Sequence, residues 1–130
     1  MEKEFIPYEI ALAVKKLGFD ENCFGYYKSQ GKELVFIKIK NSIISNWEDS
    51  FMEFSQCSVP TYQQAFRWFR EKYGYDVSIV RRTVKAYKFE IQKLVYEGND
   101  YFFSVFSFDS HQKAELECLK KLIEIVTNKN

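Results

Sequence analysis

The residue types that make and break bonds are thinly spread in this chain. Among its 130 residues there is one histidine, His111, and there are three cysteines, Cys23, Cys57 and Cys118. A thiol nucleophile needs a base and an orienting partner beside it, so no more than one Cys–His pair can form. Cys118 follows His111 by seven positions, which sets the two roughly 10 Å apart along a shared helix axis. That is too far for a hydrogen bond. Cys118 also falls in the apolar stripe of its helix, where a thiol behaves as a small hydrophobe. Cys23 or Cys57 would reach His111 only through the tertiary fold. With no nucleophile or acid adjacent to it in sequence, His111 reads as a surface side chain.

Other centres lack their spacing. There is no C-x-x-C and no H-x-x-x-H, so a zinc site is not expected. Neither G-x-G-x-x-G nor G-x-x-x-x-G-K-[ST] occurs, so no loop is set to cradle a phosphate. The paired carboxylates, Asp20-Glu21 and Glu48-Asp49, lie at expected turns or loops, where solvated charge is the rule. A carboxylate-based hydrolase would need two acids to meet in a deep pocket. No catalytic, cofactor-binding or metal-binding residue is therefore assigned, and the chain reads as a non-enzyme.

The elements that would position any site follow from periodicity. A helix is predicted from Pro7 to Leu17: proline suits the first turn, Ile6, Ile10, Ala13, Val14 and Leu17 form one stripe, and Gly18 ends it. A hairpin follows, Phe24–Lys28 and Glu33–Lys40 around Ser29-Gln30-Gly31-Lys32. The stretch Asn41–Val59 gives no clear pattern; Phe51, Met52 and Phe54 suit either a short strand or a loop anchored on the core. A second helix is predicted from Pro60 to Tyr73, with Tyr62, Ala65, Phe66, Phe69 and Tyr73 on one face. Val77–Val80 reads as a short strand and Val84–Tyr96 as a long one, with Glu97-Gly98-Asn99-Asp100 turning into Tyr101–Phe108. The last helix runs from Ser110 to Thr127, with Asp109 and Gln112 at capping-box spacing and an apolar face from Ala114 to Val126. Hairpins grouped with helices on one side describe a two-layer α+β domain, antiparallel hairpins against three helices, over residues 1–130.

Composition bounds the partners. Apolar residues at 46% and charged residues at 28% are those of a folded globular chain. The net charge of +1 supplies no long-range field to gather nucleic acid or an anionic membrane. Three cysteines, an odd number, and no secretory leader suggest reduced thiols in a cytoplasm. The aromatic share is high, 18%, and aromatic residues fill cores and mark interfaces.

Two groups could contact a partner. Trp68 lies off the centre of the second helix's apolar stripe; if exposed beside Gln64 and Lys72 it would suit a protein interface, and if packed it belongs to the core. Arg81, Arg82, Lys85 and Lys88 form a local basic run entering the long hairpin, and Arg67 and Arg70 line one side of the second helix. With Tyr75 and Tyr87 nearby, these could meet phosphates and stack on bases, although neutral net charge favours ordinary solvated residues.

From Thr61 onward the order helix, strands, helix is similar to that of double-stranded-RNA-binding domains, which open their last helix with a Lys-rich, Ala-containing turn. Only Lys113 and Ala114 match that turn, and Glu115 and Glu117 behind them would repel phosphate. Three further passages look familiar together: Ile6-Pro7-Tyr8-Glu9 with Leu17-Gly18-Phe19-Asp20, Tyr62 through Tyr73 behind Pro60, and Ala114-Glu115 with Cys118 through Val126. They resemble a family of small uncharacterised proteins of bacteriophages and integrated elements of gut bacteria, least so in Lys28–Ser58. The resemblance implies a phage or mobile-element accessory protein in a bacterial cytoplasm that acts by binding, and brings no site residue. The expectation is a protein-binding module, its partner another protein or a second copy in a homo-oligomer, with nucleic acid the less favoured partner and no membrane, metal or cofactor.

Overall fold

Helix punctuation acts first. The computed structural model describes residues 4–21, 23, 25–28, 33–36, 57–95, 98–104 and 106–129. Helix α1 spans Tyr8–Lys16 behind an extended Pro7. It ends in a left-handed Gly18, φ 104°. Gly18 N–H donates to the Lys15 carbonyl (3.0 Å) and Phe19 N–H to that of Val14 (3.3 Å), the paired bonds that close a helix whose next residue needs positive φ. Phe19 and Val14 are both buried, the apolar contact that accompanies such a cap.

The described residues group into two compact units, Met1–Tyr62 and Gln63–Asn130. In the first, strands β1 (Gly25–Lys28), β2 (Glu33–Phe36) and β3 (Cys57–Val59) form an antiparallel sheet in the order β2-β1-β3, and α1 packs on β3. Of the expected first hairpin, Gly25–Lys28 and Glu33–Phe36 pair antiparallel, with Tyr26 opposite Val35; Phe24, the turn Ser29-Gln30-Gly31-Lys32 and residues 37–40 lie outside the described residues. Of the patternless 41–59 stretch, the described part, 57–59, is a strand paired with β1. The Tyr27 hydroxyl donates to the Ile6 carbonyl at 2.8 Å and Ile6 N–H to that of Pro60 at 3.2 Å, so the segment before α1 is bonded to both β1 and the end of β3.

In the second unit, helix α2 (Tyr62–Tyr73) leads into β4 (Tyr75–Thr83), β5 (Ala86–Val95) and β6 (Gly98–Phe103), then helix α3 (His111–Lys129). The sheet order is β4-β5-β6, all antiparallel. Helix α3 packs on β5 and β4. The α+β class and the packing of helices on antiparallel strands are as expected; several boundaries differ. Strand β4 is nine residues rather than four, because pairing with β5 carries it beyond its own alternating stretch. Val84 and Lys85 are the turn rather than the strand start. Gly98, Asn99 and Asp100 already pair within β6 instead of forming the turn. The cap of α3 is Ser110, whose Oγ accepts from Lys113 N–H at 3.1 Å; the Asp109–Gln112 box is one residue out of phase with it.

Alternation sorts the second sheet into two faces. Tyr75, Phe89 and Ile91 are buried on the face that α3 covers with Ala114, Cys118, Leu119 and Leu122. No helix among the described residues is long and apolar enough to cross a membrane.

Gly74 joins α2 to β4 with φ +82°, and a Cβ there would meet only ordinary contact, 3.8 Å from Lys93 Cε. The cost of a side chain is thus conformational. Gly74→Ala should lose about 1–2 kcal/mol, and Gly74→Asn less, since asparagine tolerates the left-handed region. Urea unfolding of both variants checks this; equal stability of Ala and Gly would mean the turn adopts another conformation.

Candidate functional site

His111 has a neighbour that a search of adjacent residues overlooks. On α3 its Nδ1 lies 3.3 Å from Oε1 of Glu115, one helical turn on. The contact is an ion pair only when the imidazole carries its second proton. Gln63 Nε2 donates to Glu115 Oε2 at 3.2 Å, so the carboxylate is gripped from α2 as well. On the other side, the Tyr87 ring meets His111 edge-on at 5.9 Å between centroids, and the Arg81 guanidinium lies 5.9 Å over the Tyr87 ring. The first turns of α2 and α3 and the β4–β5 hairpin are joined through these five residues.

This line of groups is poorly arranged for nucleophilic chemistry. Glu115 is only 7% exposed. Burial raises its carboxyl above the ordinary range, and His111 and Gln63 oppose that rise. Cys118, three positions on, is fully buried. Burial first, and the Glu115 charge second, push its thiol far above the ordinary range. A catalytic cysteine requires the opposite shift. Cys23 is also buried, its thiol donating to the Glu21 carbonyl at 3.5 Å. Among the described residues, no group of three or more His, Cys, Asp or Glu is placed to hold a metal ion.

The predicted interface residues on α2 meet, but as packing. Trp68 is 6% exposed, so the exposed reading gives way to the packed one. Its ring touches Phe69 and Tyr73 edge-on at 5.0 and 5.7 Å. Lys72 lies over it with Nζ 5.0 Å from the ring centroid. Gln64 is half-buried. The buried arc of α2 includes Ala65, Phe66, Trp68 and Phe69, wider than the stripe read from spacing.

The basic run is divided by the sheet. Arg81 pairs with Tyr87 on the face toward α3, and its Nε donates to the Thr83 carbonyl at 3.2 Å. Lys85 is exposed in the turn. Arg82 and Lys88 come together on the outer face, where with Phe89, Glu90, Tyr101, Phe103 and Ser104 they line a shallow depression of about 270 Å³.

That outer face holds residues not singled out from the sequence. Register sets Glu90 opposite Phe103 and Gln92 opposite Tyr101, so these two aromatics point away from α3 while Phe102 points toward it, under the Lys121 ammonium at 5.8 Å. Tyr101 and Phe103 are 49% and 60% exposed, with ring centroids 5.6 Å apart. The Tyr101 hydroxyl donates to Glu90. Partial desolvation, then that bond and the Glu90 charge, raise the phenol above its ordinary value, and Arg82 opposes them.

Beyond β6 the edge bulges. Ser104 N–H donates to the Phe89 carbonyl and Ser104 Oγ accepts from Phe89 N–H, each at 3.1 Å. Tyr87 then exchanges two 2.8 Å bonds with Phe108. The pairing thus passes from Ser104 opposite Phe89 to Phe108 opposite Tyr87 with a break in the ladder between them, and Phe106 is left 78% exposed. Such bulges re-aim side chains at sheet edges.

No family model matches the chain, and neither a curated protein nor a solved structure matches it.

Two outcomes follow from the α3 groups. Cys118 should resist alkylation at mildly alkaline pH in the native protein and react once unfolded, as peptide mapping would report; rapid native labelling would contradict its burial. Because the folded carboxyl of Glu115 is raised, the stability it contributes is fully present below the ordinary carboxylate range and is lost as pH rises through the raised value. Glu115→Gln should therefore flatten the stability–pH curve from that range upward. Parallel curves for the two proteins in urea unfolding would count against the shift.

Proposed function

We propose that this chain works by binding a protein, through the outer face of β4-β5-β6, with no catalytic step of its own. One observation carries the reading: Tyr101 and Phe103 stand exposed side by side on a sheet whose other face is buried. Large rings left in water are unfavourable unless something covers them in use. Aromatic residues with arginine are the residues enriched where proteins meet, and Arg82 stands beside these rings. The charges around them are mixed, Arg82 and Lys88 against Glu90, which suits a protein surface better than a polyanion. The likeness to small phage and mobile-element proteins supports a setting in a bacterial cytoplasm, where an accessory protein acts by contact.

A second reading rests on the same place. Arg82 and Lys88 flank two exposed rings, and single-stranded nucleic acid is held by stacked aromatics beside phosphate-binding cations. The double-stranded-RNA reading gains from one detail: Glu115 is turned inward to Gln63 and His111 rather than out toward a phosphate. Glu117 remains beside Lys120 at 3.7 Å, and the start of α3 keeps only Lys113 as an exposed cation in its first turn.

Salt and side-chain variants separate these. Capture of a protein partner from the host cell should persist as salt rises and be lost in a Tyr101→Ser, Phe103→Ser double variant, at a cost of about 2 kcal/mol or more for a hot-spot ring. Arg82→Ala and Lys88→Ala should affect it less. Binding of a fluorescent oligonucleotide that collapses with salt, each basic variant lowering the salt slope by about one, would replace the protein reading by the nucleic-acid one.

A further inference from the structure

We propose that the tip of the β4–β5 hairpin is a second binding surface, which seats this end of the unit on an anionic lipid membrane.

Charge is unevenly divided along the chain. Residues 79–88 hold four cations, Arg81, Arg82, Lys85 and Lys88, and no carboxylate, so the remainder of a chain of net charge +1 is net −3. Folding gathers the run around one tip. The β4–β5 register is irregular between Arg81 and Thr83. Arg81 lies over Tyr87 on the α3 side, Arg82 and Lys88 line the outer side, and Lys85 is exposed in the turn between. The first turn of α3 is at the same end, since Tyr87 meets His111, and it adds the exposed Lys113. Among the described residues none of these five cations forms an ion pair with a carboxylate. Glu115 is turned inward to Gln63 and His111, and Glu90 accepts from Tyr101. A partner lying on one face of the sheet meets only the cations of that face. A flat surface met end-on meets both sets.

Bare apolar side chains stand among these cations. Val84, 73% exposed, is in the turn itself. Phe106, 78% exposed, comes from the break in the ladder between Ser104, bonded to Phe89, and Phe108, bonded to Tyr87. Nucleic acid held without base readout needs flat rings to stack on, and an aliphatic tip offers none. A lipid interface uses both parts. Its acyl boundary accepts apolar side chains, and its anionic headgroups attract nearby Lys and Arg. The long stems of those residues keep their charged heads at headgroup level while the tip enters. Net charge hides this match, because the cations are local and the compensating acids lie elsewhere in the chain.

Co-sedimentation of the full chain with vesicles at low salt tests this. Vesicles of phosphatidylcholine with about a third phosphatidylserine should carry the protein down, and phosphatidylcholine alone should not. Arg82→Ala and Lys85→Ala should each weaken binding about five-fold. Val84→Ser should weaken it at least about three-fold. Lys120→Ala, on α3 beside Glu117, should leave it unchanged. Circular dichroism confirms that each variant folds. A wild type that stays in solution beside the anionic vesicles overturns the inference, and so does binding that Lys85→Ala or Val84→Ser leaves intact. Capture of a fluorescent oligonucleotide with the vesicles ignored overturns it in favour of nucleic acid. Protein capture through Tyr101 and Phe103 is a separate measurement, and its failure leaves membrane binding standing.

Discussion

The second unit depends on the packing of α3 over one face of the β4-β5-β6 sheet. Phe89, Ile91 and Tyr75 are buried there with Ala114, Cys118, Leu119, Leu122, Ile125 and Val126. Burial of that apolar surface is the dominant favourable term, and strand geometry converts it into a rule for everything else. Successive side chains point to opposite faces, so once Phe89 and Ile91 face the helix, Lys88, Glu90 and Gln92 must face away. Cross-strand register then places Tyr101 and Phe103 beside them. The exposed rings are a consequence of burying their neighbours.

The same packing explains how the α3 groups behave. Cys118 and Glu115 lie on the side of the helix that meets the rest of the unit. The thiol is held neutral by desolvation. The carboxylate, which loses water as well, is compensated by Gln63 and His111. A buried acceptor left without donors is costly, and the two contacts here offset part of that cost, burial still holding the carboxyl above its ordinary range. The arrangement resembles a catalytic relay in its residue types, but its chemistry is that of a satisfied polar group at a helix–helix junction.

Much of the fold was legible because its signals are local. Pro7 and Gly18 mark α1, Gly74 ends α2, and the alternation Tyr87, Phe89, Ile91 marks β5. What was not legible depends on tertiary pairing. Strand β3 is three residues whose pairing with β1 lies across a long sequence separation, and nothing in Cys57-Ser58-Val59 announces that. The length of β4 is set by its partner, since Arg81, Arg82 and Thr83 have no apolar alternation of their own. Trp68 appeared peripheral by spacing, yet a helix that buries a wide arc includes it. The candidate face did leave a trace. Tyr101-Phe102-Phe103 are three successive aromatics on one strand, and the period of two forbids all three from sharing a core. At least one had to face outward, and the position of Phe102 opposite Ile91 decides that it is the flanking pair.

Electrostatics then narrows what such a face can recognise. A polyanion is gathered by cations acting together, but the sheet separates them: Arg81 lies over Tyr87 on the helix side, Lys85 is in the turn, and only Arg82 and Lys88 share the outer depression with Glu90. One carboxylate against two cations leaves a weak local field. The rings keep their full apolar area whatever the ionic strength. The balance of forces on this surface is therefore hydrophobic first and electrostatic second, and an occupant held in that order must bring apolar surface of its own.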